Sequence, residues 1–164
     1  MKQLTEEEML HRAAAYCSTA ERCIKDVRTK IKAAGLEEEA SDRIIARLIK
    51  EQFINENRFA RSFVNDKLRF NKWGRFKISF ELRKKEIPEN ICNAALEEID
   101  KKEYSDILMS LLKTKLKSIK DTDMRAVRLK LMRFAAGRGF EGRECGLCIN
   151  KLIKNVDDED FDTF

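Results

Sequence analysis

Proline is nearly absent from this chain of 164 residues: Pro88 stands alone, with only six glycines for company. So few turn formers cannot serve the many tight connections of an all-β domain. Strong helix formers fill most of the sequence instead, and the reading is all-α. No hydrophobic run approaches the ~18 residues that a membrane-spanning helix needs. The opening MKQLTEEEML has no apolar stretch of the kind that directs secretion. These absences predict a cytoplasmic protein with no membrane partner. In that reducing setting the five cysteines are not expected to form a disulfide framework.

Catalytic material is equally scarce. His11 is the only histidine, which leaves little for a Ser-His or Cys-His pair. No phosphate-binding glycine loop of either common pattern occurs; Gly137-Arg138-Gly139 reads as a helix end. Cys145 and Cys148 form a C-x-x-C pair, but their spacing with Ile149 and Leu152 continues a buried helical stripe, so they read as small core residues. Cys17, Cys23 and Cys92 provide no second ligand pair for a four-coordinate zinc. No enzyme activity, metal or cofactor is expected.

What the sequence has in abundance is charge, unevenly spread. The tail NVDDEDFDTF holds five acids and no base, so residues 1–154 carry +10 against +5 for the whole chain. Residues 58–85 hold ten Lys or Arg against Asp66 and Glu81. Such a middle attracts a polyanion or an acidic protein face. The candidate binding residues are Arg58, Arg61, Lys67, Arg69, Lys72, Trp73, Arg75, Lys77, Arg83, Lys84 and Lys85. Trp73, the only tryptophan, precedes Gly74 at an expected corner between helices. Its ring either closes over a core or serves as a partly exposed anchor among Lys72, Arg75 and Lys77.

The chain also repeats itself. Aligned on Leu36, Ile87 and Phe140, three segments share an apolar register. Val27, Ile78 and Leu131 stand nine positions earlier, and Ile31, Leu82 and Ala135 five earlier. Ile44, Ala95 and Cys148 stand eight later, Ile45, Leu96 and Ile149 nine later, and Leu48, Ile99 and Leu152 twelve later. The spacings of three and four are helical, so each segment reads as helix, tight turn, helix. Gly35 and Gly139 suit the left-handed residue that ends a helix, and Pro88 can open the next one. A further helix precedes each pair. Thr5 and Glu8 fit a capping box at the start of the first. Phe59, Phe63, Leu68 and Phe70 form an apolar stripe on the second, and Ile107, Leu108, Leu111, Leu112, Leu116 and Ile119 one on the third. The expected architecture is three tandem three-helix repeats, residues 1–55, 56–100 and 101–155, stacked into an elongated, curved body. Residues 156–164 form an acidic tail without core-forming pattern, expected to be disordered.

Three stretches carry a family resemblance: YCSTAERCIKDVRTKIKAAG, LIKEQFINENRFARSFVNDKLR and WGRFKISFELRKKEIPENICNAAL. The most specific part is the F-I-N-E-x-R-F-A run followed by G-R-x-K-I-x-x-E-L-R-x-K-x-I. With RFAAGRGF in the third repeat, the chain resembles the RecX family, regulators of the bacterial RecA recombinase, over roughly residues 10–154. Glu86 departs from the family in standing where a glycine before Ile87 is common. The resemblance implies a monomeric protein that binds the RecA protein filament. It implies modulation, most often inhibition, of the recombinase, ATPase and coprotease activities of RecA. Single-stranded or double-stranded DNA would be bound weakly. The alternative from charge alone is a direct nucleic-acid binder built from helix-turn-helix-like units.

Overall fold

The computed structural model describes the backbone of residues 3–162 and the side chains of residues 3–154. Among them the fold is all-α, with nine helices and no strand. In chain order these are α1 (Glu6–Thr19), α2 (Ile24–Ala33), α3 (Glu38–Lys50), α4 (Glu56–Arg69), α5 (Arg75–Lys84), α6 (Glu89–Glu97), α7 (Lys101–Ser118), α8 (Met124–Gly137) and α9 (Gly142–Asp162). The side chains of the acidic tail lie outside the described residues.

The starts and stops follow local chemistry. Thr5 and Glu8 form the expected capping box on α1, each side chain bonding the other residue's backbone N–H. Asn55, Asp100 and Asp123 accept first-turn N–H bonds at α4, α7 and α8. The carbonyl of Pro88 accepts from the Cys92 N–H at 3.0 Å, opening α6. Gly35 and Gly139 end α2 and α8 with φ of 87° and 94°. Glu86 takes the same left-handed conformation after α5, at φ 60°, although it has a Cβ. There the Ile87 N–H reaches the Leu82 carbonyl at 3.2 Å, and after α8 the Phe140 N–H reaches the Ala135 carbonyl at 3.1 Å. The two helix ends are therefore closed in the same way.

The shared apolar register is the buried register. Val27, Ile78 and Leu131 are buried, as are Ile31, Leu82 and Ala135, Ile44, Ala95 and Cys148, and Leu48, Ile99 and Leu152. Leu36 and Leu96 are half-buried. Cys145 and Cys148 lie in the core, and burial pushes the Cys145 thiol up to about 11.

The chain forms two compact units. One comprises Met1–Phe63 and Glu81–Ala95. In it α1, α2 and α3 pack around Met9, Ala13, Val27, Ile31, Ile44 and Leu48. The other comprises Val64–Phe80 and Leu96–Phe164. In it α7, α8 and α9 pack on one another, and the buried Tyr104 and Phe140 rings lie 5.2 Å apart.

Candidate functional site

Trp73 sits at the corner expected for it, between the end of α4 and the start of α5. Lys72 turns the chain with φ 55°, and the Trp73 N–H donates to the Lys67 carbonyl at 3.0 Å. The α8–α9 turn clamps this corner. The Gly74 N–H donates to the Arg138 carbonyl at 2.8 Å and the Phe76 N–H to the Gly139 carbonyl at 3.0 Å. The Arg138 guanidinium returns two hydrogen bonds, to the carbonyls of Asn71 and Lys72. Backbone meets backbone here because both residues are glycine. A Cβ on Gly74 would stand 2.4 Å from the Gly139 carbonyl, and one on Gly139 would stand 2.4 Å from the Lys77 Cβ.

The indole is half-buried, with the Lys67 Nζ 5.0 Å and the Lys77 Nζ 4.6 Å from its ring centroid. Two ammonium groups share one electron-rich ring, an attraction worth ~0.5–1 kcal/mol each at partly exposed sites. That answers locally why the tryptophan lies among cations. It is not by itself a mark of function: Arg22 and Lys30 lie 4.0 and 4.2 Å from the Tyr16 ring in the other unit.

The flanking arginines are anchors. Arg75 pairs with Glu141 at 2.8 Å while its guanidinium lies 4.0 Å over the Tyr104 ring. Its N–H donates to the Tyr104 hydroxyl at 3.0 Å, and that hydroxyl donates to the Glu141 carboxylate. Burial, then the bond to Glu141, pushes the Tyr104 phenol far above its ordinary range, so the hydroxyl stays protonated and keeps donating. Arg69 holds Glu103 with two bonds, at 2.7 and 3.3 Å. Lys72 is exposed, lining a depression with Asp100, Glu103 and Asp106, whose charges offset its own.

The other expected residues belong to the first unit. Arg58 is tied to Glu21 and to the carbonyls of Gln52 and Phe53. Lys85 pairs with Asp26 at 3.1 Å. Burial pushes the Asp26 carboxyl up, but hydrogen bonds from Cys23 and Lys85 outweigh it and hold the group below its ordinary value. Lys84 lies 3.7 Å from Glu81. Arg61 and Arg83 are exposed and make no ion pair among the described residues.

Three functional candidates were not expected from the sequence. Phe70, assigned to the apolar stripe of α4, is 81% exposed. Its N–H still donates to the Asp66 carbonyl at 2.9 Å, so it continues the helical path and, two residues beyond the buried Leu68, lies about 200° around the helix from it. Phe76 and Phe80 are 65% and 62% exposed. On α5 the buried Ile78 and Leu82 are four residues apart, and so are Phe76 and Phe80, but the two pairs are offset by two residues, about 200° around a helix. The signal was present as apolar residues at every second position, 76, 78, 80 and 82. A helix of that pattern has two apolar faces, and burying one leaves the other outside. Three solvent-facing phenylalanines this close in sequence are more exposed apolar surface than isolated surface residues usually present.

Residues 55–96, which hold this corner, match the family domain described as RecX, second three-helix domain. The chain is 30% identical over 146 residues to the Regulatory protein RecX of Prosthecochloris aestuarii, covering 89% of this chain and 94% of that protein. It is 32% identical over 139 residues to the Regulatory protein RecX of Clostridium beijerinckii, covering 84% of this chain and 64% of that protein. The Lactobacillus johnsonii relative is likewise longer; the chain spans 59% of it. The crystal structure of RecX from Lactobacillus salivarius has the same fold, with a TM-score of 0.83 at 24% identity over 90% of this chain and 96% of that one. Among the described residues no helix is long and apolar enough to cross a membrane.

Proposed function

The chain belongs to the RecX family, and from that premise we propose that it regulates the RecA recombinase by docking on RecA filaments assembled on DNA. The observation that carries this reading is the exposed phenylalanine set, Phe70, Phe76 and Phe80, which brackets the cation-flanked Trp73 in the sequence. Rings with cations at their rim have the composition of a protein-docking surface, where aromatic and arginine side chains supply most of the binding energy. Its complement is an acidic face with apolar side chains at its centre. Docking there inhibits RecA-dependent ATP hydrolysis without chemistry by this chain, which acts as a cytoplasmic binding protein and not as an enzyme.

A second reading, direct binding to unpaired nucleic acid, draws on the same rings, since bases stack on exposed aromatics between cations. Salt separates the two. Binding through phosphates weakens by ~0.7 log unit per log unit of salt for each phosphate neutralised on a single strand, whereas an apolar docking surface weakens far less.

The test is RecA-dependent ATP hydrolysis on single-stranded DNA with Phe76→Ser/Phe80→Ser. Both rings are solvent-facing, so helicity should be retained while inhibition falls at least about tenfold, as for loss of interface anchors. Full inhibition by the folded double variant would remove this face from the function.

A further inference from the structure

A second cationic feature lies away from the Trp73 corner and outside the residues 58–85 that dominate the charge pattern. The end of α7, the loop after it and α8 enclose a depression of about 650 Å³. Its lining includes Lys115, Lys120, Lys130 and Arg133 against the single acid Asp121, with Phe134 contributing apolar surface. Lys130 is held by Asp121 at 2.6 Å, and the Lys115 ammonium lies 5.4 Å from the centre of the Phe134 ring. Lys120 and Arg133 are exposed and have no hydrogen bond or ion pair among the described residues.

Ordinary helix electrostatics accounts for only part of this. A cation in the last turn of a helix is stabilised by the macrodipole, which explains Lys115 on α7. It does not explain Lys120, which lies beyond that helix, or Lys130 and Arg133, which precede the last turn of α8. Asp121 neutralises one charge, and the others converge on one concavity without a partner carboxylate.

We propose that this depression is a phosphate-chain site, in which Lys120 and Arg133 hold adjacent phosphate groups and Lys115 closes the charge from the ring side. Arg133 offers a planar fork that bonds two phosphate oxygens at once, and Lys120 supplies a mobile point charge. The phosphates belong either to a free nucleoside triphosphate, where they are joined directly, or to a nucleic-acid strand, where a sugar separates each from the next; both present anionic phosphate oxygens that Arg133 can fork and Lys120 can pair.

The test compares Lys120→Glu/Arg133→Glu with Arg12→Glu/Lys50→Glu, which makes the same charge change on exposed residues of α1 and α3. The probes are a fluorescent ATP analogue and a fluorescein-labelled oligothymidylate, with inorganic tripolyphosphate and polyglutamate as competitors. The first variant should lose about tenfold in affinity for a probe at low salt, and its oligothymidylate salt slope should fall by about 1.4, the value for two phosphates on a single strand. The control should lose less than about twofold, because neither residue lines the depression. Loss for the ATP analogue identifies a free nucleotide as the source, and loss confined to the oligothymidylate identifies a strand. Equal losses in both variants, no loss in either, or displacement by polyglutamate as effective as by tripolyphosphate would each overturn the proposal. Because Trp73 and the three phenylalanines are intact in both variants, this outcome is independent of the docking face.

Discussion

Gly74 lies directly on Gly139, sixty-five residues further along the chain, so closely that a methyl group on Gly74 would stand 2.4 Å from the Gly139 carbonyl. This contact, with the hydrogen bonds beside it, fixes the corner that presents Trp73 and Phe76. Gly74→Ala should lower stability by about 1–3 kcal/mol, the usual cost of forcing atoms into a closed contact. Urea melting is the check, and a midpoint equal to the native one would show that the corner yields easily.

Glu86 makes the opposite case. It holds a left-handed backbone, φ 60°, that costs a residue with a Cβ about 1 kcal/mol relative to glycine. Glu86→Gly should therefore raise the melting temperature by about 2–4 °C for a chain of this size. A lower melting temperature would mean that the greater freedom of glycine in the unfolded chain outweighs the relieved strain.

Arg75 and Lys72 are adjacent to the same corner but should behave differently. Arg75→Glu breaks the pair with Glu141 and sets two carboxylates beside Tyr104, so stability should fall by about 2 kcal/mol, as for lost hydrogen bonds to charged groups. Lys72→Glu changes an exposed residue and should alter stability by less than about 0.5 kcal/mol while weakening inhibition of RecA. Paired melting and ATPase measurements separate an anchor from a contact residue.

Asp26 predicts an acid-sensitive contribution. Its folded carboxyl lies below its ordinary value of 3.8, so the stability it adds is present above that pH and is lost as pH falls through the folded value. Glu56 acts in the opposite sense: burial raises its carboxyl, so acid relieves a cost that is present at neutral pH. Asp26→Asn should thus flatten the acid limb of the stability profile, measured by urea melts between about pH 3 and pH 6. An unchanged slope would leave the Lys85 pair without weight.

Much of this was legible because it is local. The helical register, the Thr5 capping box, the glycine helix ends and the Trp73 corner each rest on residues a few positions apart. The exposed face of α5 was missed because Ile78 and Leu82 satisfy the helical period, leaving no reason to ask where Phe76 and Phe80 point. Phe70 was misplaced for a related cause: seven residues after Phe63 it fits the helical period, but it lies on the opposite side of the turn from the buried Leu68. Lys72, Gln52 and Glu86 adopt left-handed turns without a glycine to announce them. The pairing of Gly74 with Gly139, and of Arg75 with Glu141, is long-range and has no periodic signature in the sequence.

Trp73 allows the central claim to be tested in one titration, because the chain has no other tryptophan. Its emission is followed as the protein is added to filaments of a tryptophan-free RecA on single-stranded DNA, at physiological salt, where the ~8 Å screening length suppresses distant charge effects. Docking through this face predicts a saturable shift or quench that tracks inhibition of ATP hydrolysis and is absent with DNA alone. Inhibition that develops fully while Trp73 emission stays unchanged would contradict the account.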